Sequence, residues 1–428
     1  MVSPAANGLV LTNAALGGGQ RGNVHVLDGR VAAVGSEVGI EPGDVVVDLV
    51  GYVLLPGLVE PHVHLDKAFT AGRGAPGSGD LPGAIAAWTA LRGELSTADF
   101  AGRAWRAALT YLANGATAIR AHTDVGAAIG VTALDAVRTV RAELAGTVDI
   151  EIVAMANVPL TGLEGRDNVA VLRDAIDGGA DVIGGAPWLD PDPAAACRLL
   201  LDLAGSAGLP VDLHVDETTD PAADTLSLLI DLVGQGFPHR VTASHVVSLA
   251  SRSQASRQRI ADGLAEAGIA VVTLPQTNLW LQGREAGPAA RRGLTAVAAL
   301  RDAGVTVAAG ADNIRDPFNP LGRADPLETA SLLAAAAHLP LPQALAAVST
   351  DGWTALGRPP AAILPGAPAI FVAVAAADAS DAVAASPSDR IVIRGDRIVA
   401  RSRAAREYPT LTDAPHPDAA GRSRCHRP

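Results

Sequence analysis

The chain carries the run Leu54-Leu55-Pro56-Gly57-Leu58-Val59-Glu60-Pro61-His62-Val63-His64, which is apolar apart from Glu60 until it reaches two histidines at its end. Such a run is typical of a buried strand with polar residues at its carboxyl end. Seven more strand-like runs follow: residues 116–123, 150–155, 181–184, 211–215, 240–245, 269–274 and 305–311. Segments with helical periodicity separate them, for example residues 98–112 and 194–207. Eight strands alternating with helices predict an α/β fold, a (β/α)₈ TIM-type barrel; a doubly wound open sheet is the rival.

The two ends of the chain are predicted to be β-structure. Residues 23–27 and 31–34 flank Asp28-Gly29-Arg30, and residues 390–393 and 397–400 flank Arg394-Gly395-Asp396. A turn of this kind between apolar runs is a hairpin signal. Because each hairpin region is too small to bury a core alone, we expect both to join in one small β-sandwich. The predicted domains are residues 1–55 with 363–403 (sandwich), 56–362 (barrel) and 404–428 (a poorly ordered tail).

Composition excludes several classes of function. The net charge is −12 and aromatic residues make up 3% of the chain, so neither a basic nucleic-acid surface nor stacking platforms are expected. The apolar runs are too short to span a membrane, and two cysteines cannot form a disulfide scaffold. We therefore expect a cytoplasmic protein that acts on a small molecule without nucleic-acid or membrane partners. The composition is compatible with a homo-oligomer.

Four residues at predicted strand ends have the side chains of a metal site. His62 and His64 lie two residues apart at the end of strand one, so both side chains point to the same side. His214 ends strand five and Asp312 follows strand eight. The carboxyl ends of barrel strands meet at one face, where active sites lie, and imidazole and carboxylate groups suit Zn²⁺ or Fe²⁺.

Two more residues at these strand ends are candidates for proton chemistry. Glu217 lies three residues after His214, and His245 ends strand six. A carboxylate beside a metal site is a candidate general acid or base. Alternatively, Glu217 belongs to a solvated acidic loop, His245 is a structural hydrogen-bonding residue, and Asp312 caps the next helix.

The order of these residues resembles that of the amidohydrolase superfamily, with His-x-His on strand one, histidines on strands five and six, and aspartate on strand eight. That superfamily has a metal-bearing (β/α)₈ barrel and a small β-sandwich built from both chain ends. The similarity to its cytosine deaminase branch, which includes enzymes acting on triazine-type rings, is carried by five strings. These are HVDE (214–217), VTASH (241–245), LQGR (281–284), RRGLT (291–295) and DPFNPLG (316–322).

The resemblance implies one divalent metal ion, Zn²⁺ or Fe²⁺, held by His62, His64, His214 and Asp312. Binuclear members bridge two metals with a carboxylated lysine on strand four. Lys67 is the only lysine in the chain and does not lie on that strand, so composition excludes a lysine bridge. Metal-bound hydroxide would attack a ring carbon that bears an amino group, with Asp312 accepting its proton.

Two residues complete this predicted chemistry. His245 would orient the hydroxide or stabilise the developing oxyanion. Glu217 would donate a proton to the ring nitrogen and then help to protonate the leaving amine.

Five residues are predicted to contact the substrate. Asn157 lies where cytosine deaminases carry a glutamine, Phe318 replaces the stacking tryptophan of that branch, and Asn313 replaces an acid. Gln282 is kept, and Lys67 follows the His-x-His pair, where its ammonium would bind a substrate carbonyl or carboxylate or pair with a nearby acid. Arg120, His122 and Asp124 near the end of strand two are weaker candidates for supporting or substrate contacts.

The predicted function is hydrolytic deamination of a cytosine-like, amino-substituted nitrogen heterocycle, with release of ammonia. The departures at Asn157 and Phe318 argue against cytosine itself. One alternative is hydrolysis of a cyclic amide, or of an N-alkylamino C–N bond on a triazine-type ring, at the same site. A second alternative is a binding protein on a barrel without activity, which is disfavoured because no predicted ligand is lost.

Overall fold

The computed structural model describes residues 8–16, 20–74, 77–284 and 291–405. The strands are β1 Leu9–Ala15, β2 Arg21–Leu27, β3 Arg30–Gly35, β4 Val45–Asp48, β5 Val53–Pro56, β6 Leu58–Val63, β7 Ala116–Val125, β8 Asp149–Ala156, β9 Val182–Gly185, β10 Val211–Val215, β11 Val241–His245, β12 Ala270–Thr273, β13 Val307–Ala309, β14 Ile370–Val374, β15 Arg390–Arg394 and β16 Arg397–Ser402. The helices are α1 Leu81–Arg92, α2 Thr97–Ala113, α3 Thr132–Glu143, α4 Arg166–Asp177, α5 Pro193–Ala207, α6 Thr225–Gly234, α7 Ser248–Ser251, α8 Gln254–Glu266, α9 Pro275–Leu281, α10 Val297–Asp302, α11 Pro326–Ala337, α12 Leu341–Ala347, α13 Thr350–Ala355 and α14 Ala379–Ala385.

Strands β6 to β13 form one parallel sheet in chain order. An isolated parallel bridge between Val63 and Asp312 joins its two outer strands. At that bridge the amide of His64 donates to the carbonyl of Asp312 at 2.8 Å, and the amide of Asp312 donates to the carbonyl of His62 at 3.0 Å. The (β/α)₈ barrel prediction is confirmed, and the rival open sheet is excluded. The closing contact also brings three candidate site residues together.

A second sheet combines strands from both ends of the chain, in the order β16-β15-β14-β5-β1-β2-β3, with β4 paired to β1. The antiparallel pairing of β5 with β14 joins the amino-terminal strands to the carboxyl-terminal ones. A small β-domain built from both ends is therefore confirmed. The exact domain boundaries stay predictions, and the predicted tail lies outside the described residues from residue 406 onward.

The run that was predicted as one strand is divided at Gly57. Residues before it belong to β5 in the small sheet, and residues after it belong to β6 in the barrel. A Cβ at Gly57 would lie 2.5 Å from Oγ1 of Thr117 and 2.6 Å from Cγ2 of Ile370. Only glycine allows the backbone to pass this closely between the two sheets.

Helix α2 illustrates how the barrel is enclosed. Ser96 begins the helix as its cap and accepts a hydrogen bond from the amide of Asp99 at 3.2 Å. Its buried residues include Phe100, Ala104, Ala107 and Tyr111, whose spacing places them on one face. Within the described residues, no helix is long and apolar enough to cross a membrane.

Candidate metal centre and active site

The carboxyl ends of four barrel strands supply the predicted metal ligands and proton-transfer residues. His62 lies in β6 with His64 just after it, His214 lies in β10, His245 is the last residue of β11, and Asp312 follows β13. All five side chains are buried. Because parallel strands end at the same face of a barrel, residues far apart in the sequence meet here.

The structure brings His62, His64, His214 and Asp312 into one cluster. One possible ligand atom from each lies within 4.8 Å of the others. The Nε2 atoms of His64 and His214 are 3.2 Å apart. Oδ1 of Asp312 lies 3.3 Å from Nε2 of His64 and 3.5 Å from Nε2 of His62.

The electrostatics of this cluster fit a metal ion. Burial lowers the pKa of His62, His64 and His214 well below the ordinary value, so the imidazoles are neutral. Burial would raise the pKa of Asp312, but the hydrogen bond with His64 and the neighbouring charges lower it overall. Nε2 of His62 is buried without a hydrogen-bond partner in the described chain. Neutral imidazoles and a carboxylate form a donor set suited to a divalent transition metal.

A polar network lies behind His62. Nδ1 of His62 contacts Oγ of Ser244 at 2.9 Å, and that hydroxyl donates to Oδ1 of Asp212 at 2.7 Å. Nη1 of Arg120 donates to Oδ2 of Asp212 at 2.9 Å, and the ring of His122 stacks on His62 with centroids 3.6 Å apart. Groups of this kind orient metal-binding imidazoles. Arg120 and His122 therefore support the site from within the barrel.

Glu217 and His245 lie together beside Asp312. One ligand-type atom from each of the three lies within 4.8 Å of the others. Nδ2 of Asn278 donates to Oε1 of Glu217 at 3.3 Å and to Nδ1 of His245 at 3.0 Å. Burial, followed by the charge of Asp312, raises the pKa of Glu217 well above its ordinary value, which favours its protonated form.

The contact with Asn278 also sets the tautomer of His245. Burial lowers the pKa of His245 to about 4, so the ring is neutral. Because Asn278 donates to Nδ1, the proton of His245 lies on Nε2. Nε2 is buried and has no partner among the described residues. The ring can therefore donate one hydrogen bond to a ligand.

The backbone is strained where these strands end. His245 has a φ of +72°, Val246 +51°, Asp216 +48° and Asp312 +64°. Residues with side chains rarely adopt such values. Asp216 is held by amide donors from Thr225 and Leu226, each 3.1 Å from its carboxylate. Strain of this kind persists only where the surroundings hold it, which is common at active sites.

A narrow cavity of about 110 Å³ lies against the cluster. Its walls include His64, His214, Asp312, Glu217 and His245. Four of the five predicted substrate residues also line it: Asn157, Phe318, Lys67 and Asn313. The ring of Phe318 lies 5.5 Å from Nζ of Lys67, measured to its centroid. Nδ2 of Asn313 donates to Oδ2 of Asp316 at 2.8 Å, and burial raises the pKa of that acid to about 7.

Gln282 is not in the wall of this inner cavity. It lines an outer cavity of about 1210 Å³, and its Nε2 donates to the backbone carbonyl of Glu217 at 2.8 Å. The two cavities share Glu217, Leu81, Ile85, Thr89 and Leu189 as wall residues. Gln282 therefore lies at the approach to the site, where it holds the loop that carries Glu217.

Sequence reasoning did not single out Trp88 and Arg92 of α1, or Asn278 of α9. Nε1 of Trp88 donates to Oδ2 of Asp124 at 2.8 Å, and Nη1 of Arg92 donates to Oδ1 of Asn157 at 2.8 Å. Both residues line the inner cavity. Ile85, Trp88 and Arg92 lie three and four residues apart, so the sequence spacing places them on one helix face. Only the position of α1 over the barrel shows that this face meets the cavity.

The chain is similar to known proteins over most of its length. A sequence profile of the amidohydrolase family matches residues 96–400. A pterin deaminase from Rhizobium rhizogenes is 32% identical over 406 residues, which cover 93% of this chain and 92% of that protein.

Two solved structures are also similar over nearly the whole chain. The 5-methylcytosine deaminase from Klebsiella pneumoniae, liganded with 5-fluorocytosine, has a TM-score of 0.84 and 29% identity and covers 94% of this chain and 99% of its own. The N-isopropylammelide isopropylaminohydrolase from Burkholderia multivorans has a TM-score of 0.81 and 32% identity and covers 92% and 99%. These similarities confirm the resemblance identified from the sequence.

Proposed function

This chain belongs to the amidohydrolase family, and we propose that it is a deaminase that hydrolyses the exocyclic C–NH₂ bond of an oxo-substituted nitrogen heterocycle. In more general terms, the protein is a hydrolase that acts on C–N bonds other than peptide bonds, and its family is metal-dependent. One observation carries the proposal: Glu217 and His245 form a buried group with Asp312, the same aspartate that lies among the imidazoles of the candidate metal cluster.

His62, His64, His214 and Asp312 would hold one divalent ion, Zn²⁺ or Fe²⁺. Such an ion lowers the pKa of a bound water toward neutrality. Nε2 of His62 is enclosed and lacks a partner within the described chain, so a ligand at that position would satisfy it. The cluster has no lysine bridge, which favours a single ion.

The residues around the cluster account for each proton of the reaction. As water adds to the ring carbon, Asp312 accepts one of its protons, and protonated Glu217 donates its proton to the adjacent ring nitrogen. Asp312 then passes its proton to the amino group, and the C–N bond breaks to release ammonia. The proton of the new hydroxyl group returns to Glu217 as the ring carbonyl forms. Nε2–H of His245 is placed to donate to the entering oxygen, a form of electrostatic stabilisation.

The relatives and the cavity support the proposed substrate class. 5-Methylcytosine and pterin, the substrates in the relatives' names, both carry an amino group on a ring carbon beside a ring nitrogen, and both have a ring oxo group. The inner cavity has Phe318 and Trp88 in its walls, which suits a planar ring. We propose a substrate of this type with one or two rings.

A second candidate is release of an alkylamine in place of ammonia. The similarity to the isopropylaminohydrolase favours it, and so does the outer cavity, which meets the inner one at Glu217. A substituent on the leaving nitrogen would have room on that side, next to the proton donor.

The test is a substrate panel assayed with protein of known metal content. The panel contains cytosine, 5-methylcytosine, isocytosine, pterin, aminotriazines and N-isopropylammelide, and both ammonia and alkylamine are measured. Asp312→Asn serves as the inactive control. Ammonia release that is lost in the control supports the deaminase. Alkylamine release alone favours the second candidate. If metal-loaded protein releases neither ammonia nor alkylamine, both candidates are contradicted.

A further inference from the structure

Arg92 extends from the end of α1 into the wall of the inner cavity. Nη1 donates to Oδ1 of Asn157 at 2.8 Å and approaches Oδ2 of Asp124 at 3.4 Å. The side chain is only 12% exposed. A guanidinium held by two acceptors in a nearly enclosed site has a fixed orientation.

One of the two polar atoms of the Asn157 side chain is engaged by the protein. Its oxygen accepts from Arg92, and its nitrogen is buried without a partner among the described residues. That nitrogen packs against Gly126, because a Cβ built on Gly126 would lie only 2.6 Å from it. Asn157 therefore positions the guanidinium of Arg92 through its oxygen, and its nitrogen adds a second donor to this wall.

The chemistry that this wall offers to a ligand is hydrogen-bond donation. Arg92 has no acceptor atom. Its Nη1 is engaged and its Nε is enclosed, which leaves Nη2 for a ligand. Asp124 is occupied by three donors: Lys67 at 3.0 Å, Trp88 at 2.8 Å and Arg92 at 3.4 Å. An oxygen acceptor on the substrate would give Nη2 of Arg92 a hydrogen-bond partner.

We propose that Arg92 is a specificity-determining residue that donates a hydrogen bond to the ring oxo oxygen of the substrate, with Asn157 and Asp124 as its positioning residues. The inference rests on the proposed function and identifies the substrate atom that the protein recognises, the ring oxo oxygen. A ring without that oxygen leaves a nearly buried guanidinium nitrogen unpaired on binding. Binding is then weaker by about 10- to 100-fold.

The experiment measures dissociation constants by calorimetry in metal-loaded Glu217→Gln protein, in which turnover is blocked. In each of two ligand pairs, the second member lacks the oxo oxygen and the ring N–H that accompanies it: cytosine with 4-aminopyrimidine, and pterin with 2-aminopteridine. Each pair is measured with Arg92 present and with Arg92→Met. Arg92→Lys keeps a positive charge beside Asp124 if the methionine variant folds poorly. The matched control is Arg138→Met, since Arg138 lies on the exposed face of α3.

With Arg92 present, loss of the oxygen is expected to weaken binding by at least about tenfold in one pair, and that pair identifies the ring. In both Arg92 variants the effect of the oxygen is expected to fall below about threefold, while the melting temperature and metal content match those of the control. An equal oxygen effect with and without Arg92 overturns the proposal, as does failure of all four ligands to bind. Because ammonia release is measured separately with wild-type protein, failure of this inference is distinguishable from failure of the deaminase function.

Discussion

Nζ of Lys67, the only lysine in the chain, lies 2.7 Å from Nδ1 of His64. It also lies 3.0 Å from Oδ1 of Asp124. Burial alone would lower the pKa of Lys67, but the carboxylates of Asp124 and Asp66 raise it above its ordinary value. A charged ammonium therefore lies behind His64 and fixes the orientation of its ring, whose Nε2 faces Asp312 at 3.3 Å. Lys67 lines the cavity as expected, and it pairs with an acid of the site, Asp124.

Replacing Lys67 is expected to strengthen metal binding. The charged ammonium donates to Nδ1 of His64 and so keeps the proton of the neutral ring on Nε2, the atom that faces the cluster. Lys67→Met lets Nδ1 carry that proton and removes a positive charge beside the ion, so metal affinity is expected to rise by about tenfold or more. The measurement is a titration of metal-free protein with Zn²⁺ against a competing chelator. Arg138→Met is the control. Unchanged or lower affinity in Lys67→Met would contradict this effect of the lysine.

Glu217→Gln is expected to abolish turnover while the metal stays bound. The substitution removes the carboxyl group that is proposed to donate and accept the proton, and general acid–base catalysis of this kind contributes about 10²- to 10⁴-fold. Metal content is expected to be unchanged because Glu217 is outside the four-residue cluster. Both quantities are measured on the same preparation, with Glu266→Gln on the surface of α8 as control. Retained activity, or loss of metal, contradicts the assigned role.

Glu60 is expected to make the stability of the metal-free protein fall as pH rises. Burial raises the pKa of Glu60 to about 8, from 4.5 in the ordinary case. Between these values the folded chain binds more protons than the unfolded chain, so the free energy of unfolding decreases with increasing pH. This contribution is complete below the lower value and is lost as pH passes the upper one.

Glu60→Gln tests this dependence. The glutamine keeps an oxygen acceptor for the amides of His62 and Ala311 and cannot ionise. As pH rises from 4.5 to about 8, the unfolding free energy of the wild type should therefore fall relative to that of the variant. Urea unfolding at several pH values in the presence of a chelator measures it. A constant difference across the range would contradict the raised pKa.

Arg120→Met is expected to destabilise the barrel strongly. Arg120 is fully enclosed and pairs with Glu151 at 2.6 Å and Asp212 at 2.9 Å. Removing it leaves the buried carboxylate of Asp212 without its cation, which typically costs about 3–5 kcal/mol. The measurement is the free energy of unfolding in urea, and Arg138→Met should change it by less than about 0.5 kcal/mol. A small effect in Arg120→Met would show that His122 and Ser244 suffice to hold Asp212.

Much of the site could be predicted from the sequence because it depends on strand ends. Alternating strands and helices imply a parallel sheet, and the carboxyl ends of its strands must meet at one face. Histidines and aspartate at those ends are therefore brought together whatever the details of packing. His62, His64, His214 and Asp312 follow this rule, and so do Glu217 and His245.

Residues whose position depends on helices and loops could not be predicted in this way. Gln282 lies after a short helix and reaches only the outer cavity, and the long apolar run divides at Gly57 between two sheets. No local pattern encodes either outcome, because each depends on contacts between residues distant in the sequence.

The sequence by itself determined the barrel, the small β-domain from both chain ends and the cluster of imidazoles, since strand periodicity and strand ends are local properties. The tertiary structure alone decided which side chains face one another within the cavity. It placed the ammonium of Lys67 on His64 and the guanidinium of Arg92 on Asn157, so that two residues assigned to the substrate make their contacts with the protein. The pairing of Arg92 with Asn157 arises from the packing of α1 over the strand ends, and packing is a property of the whole fold.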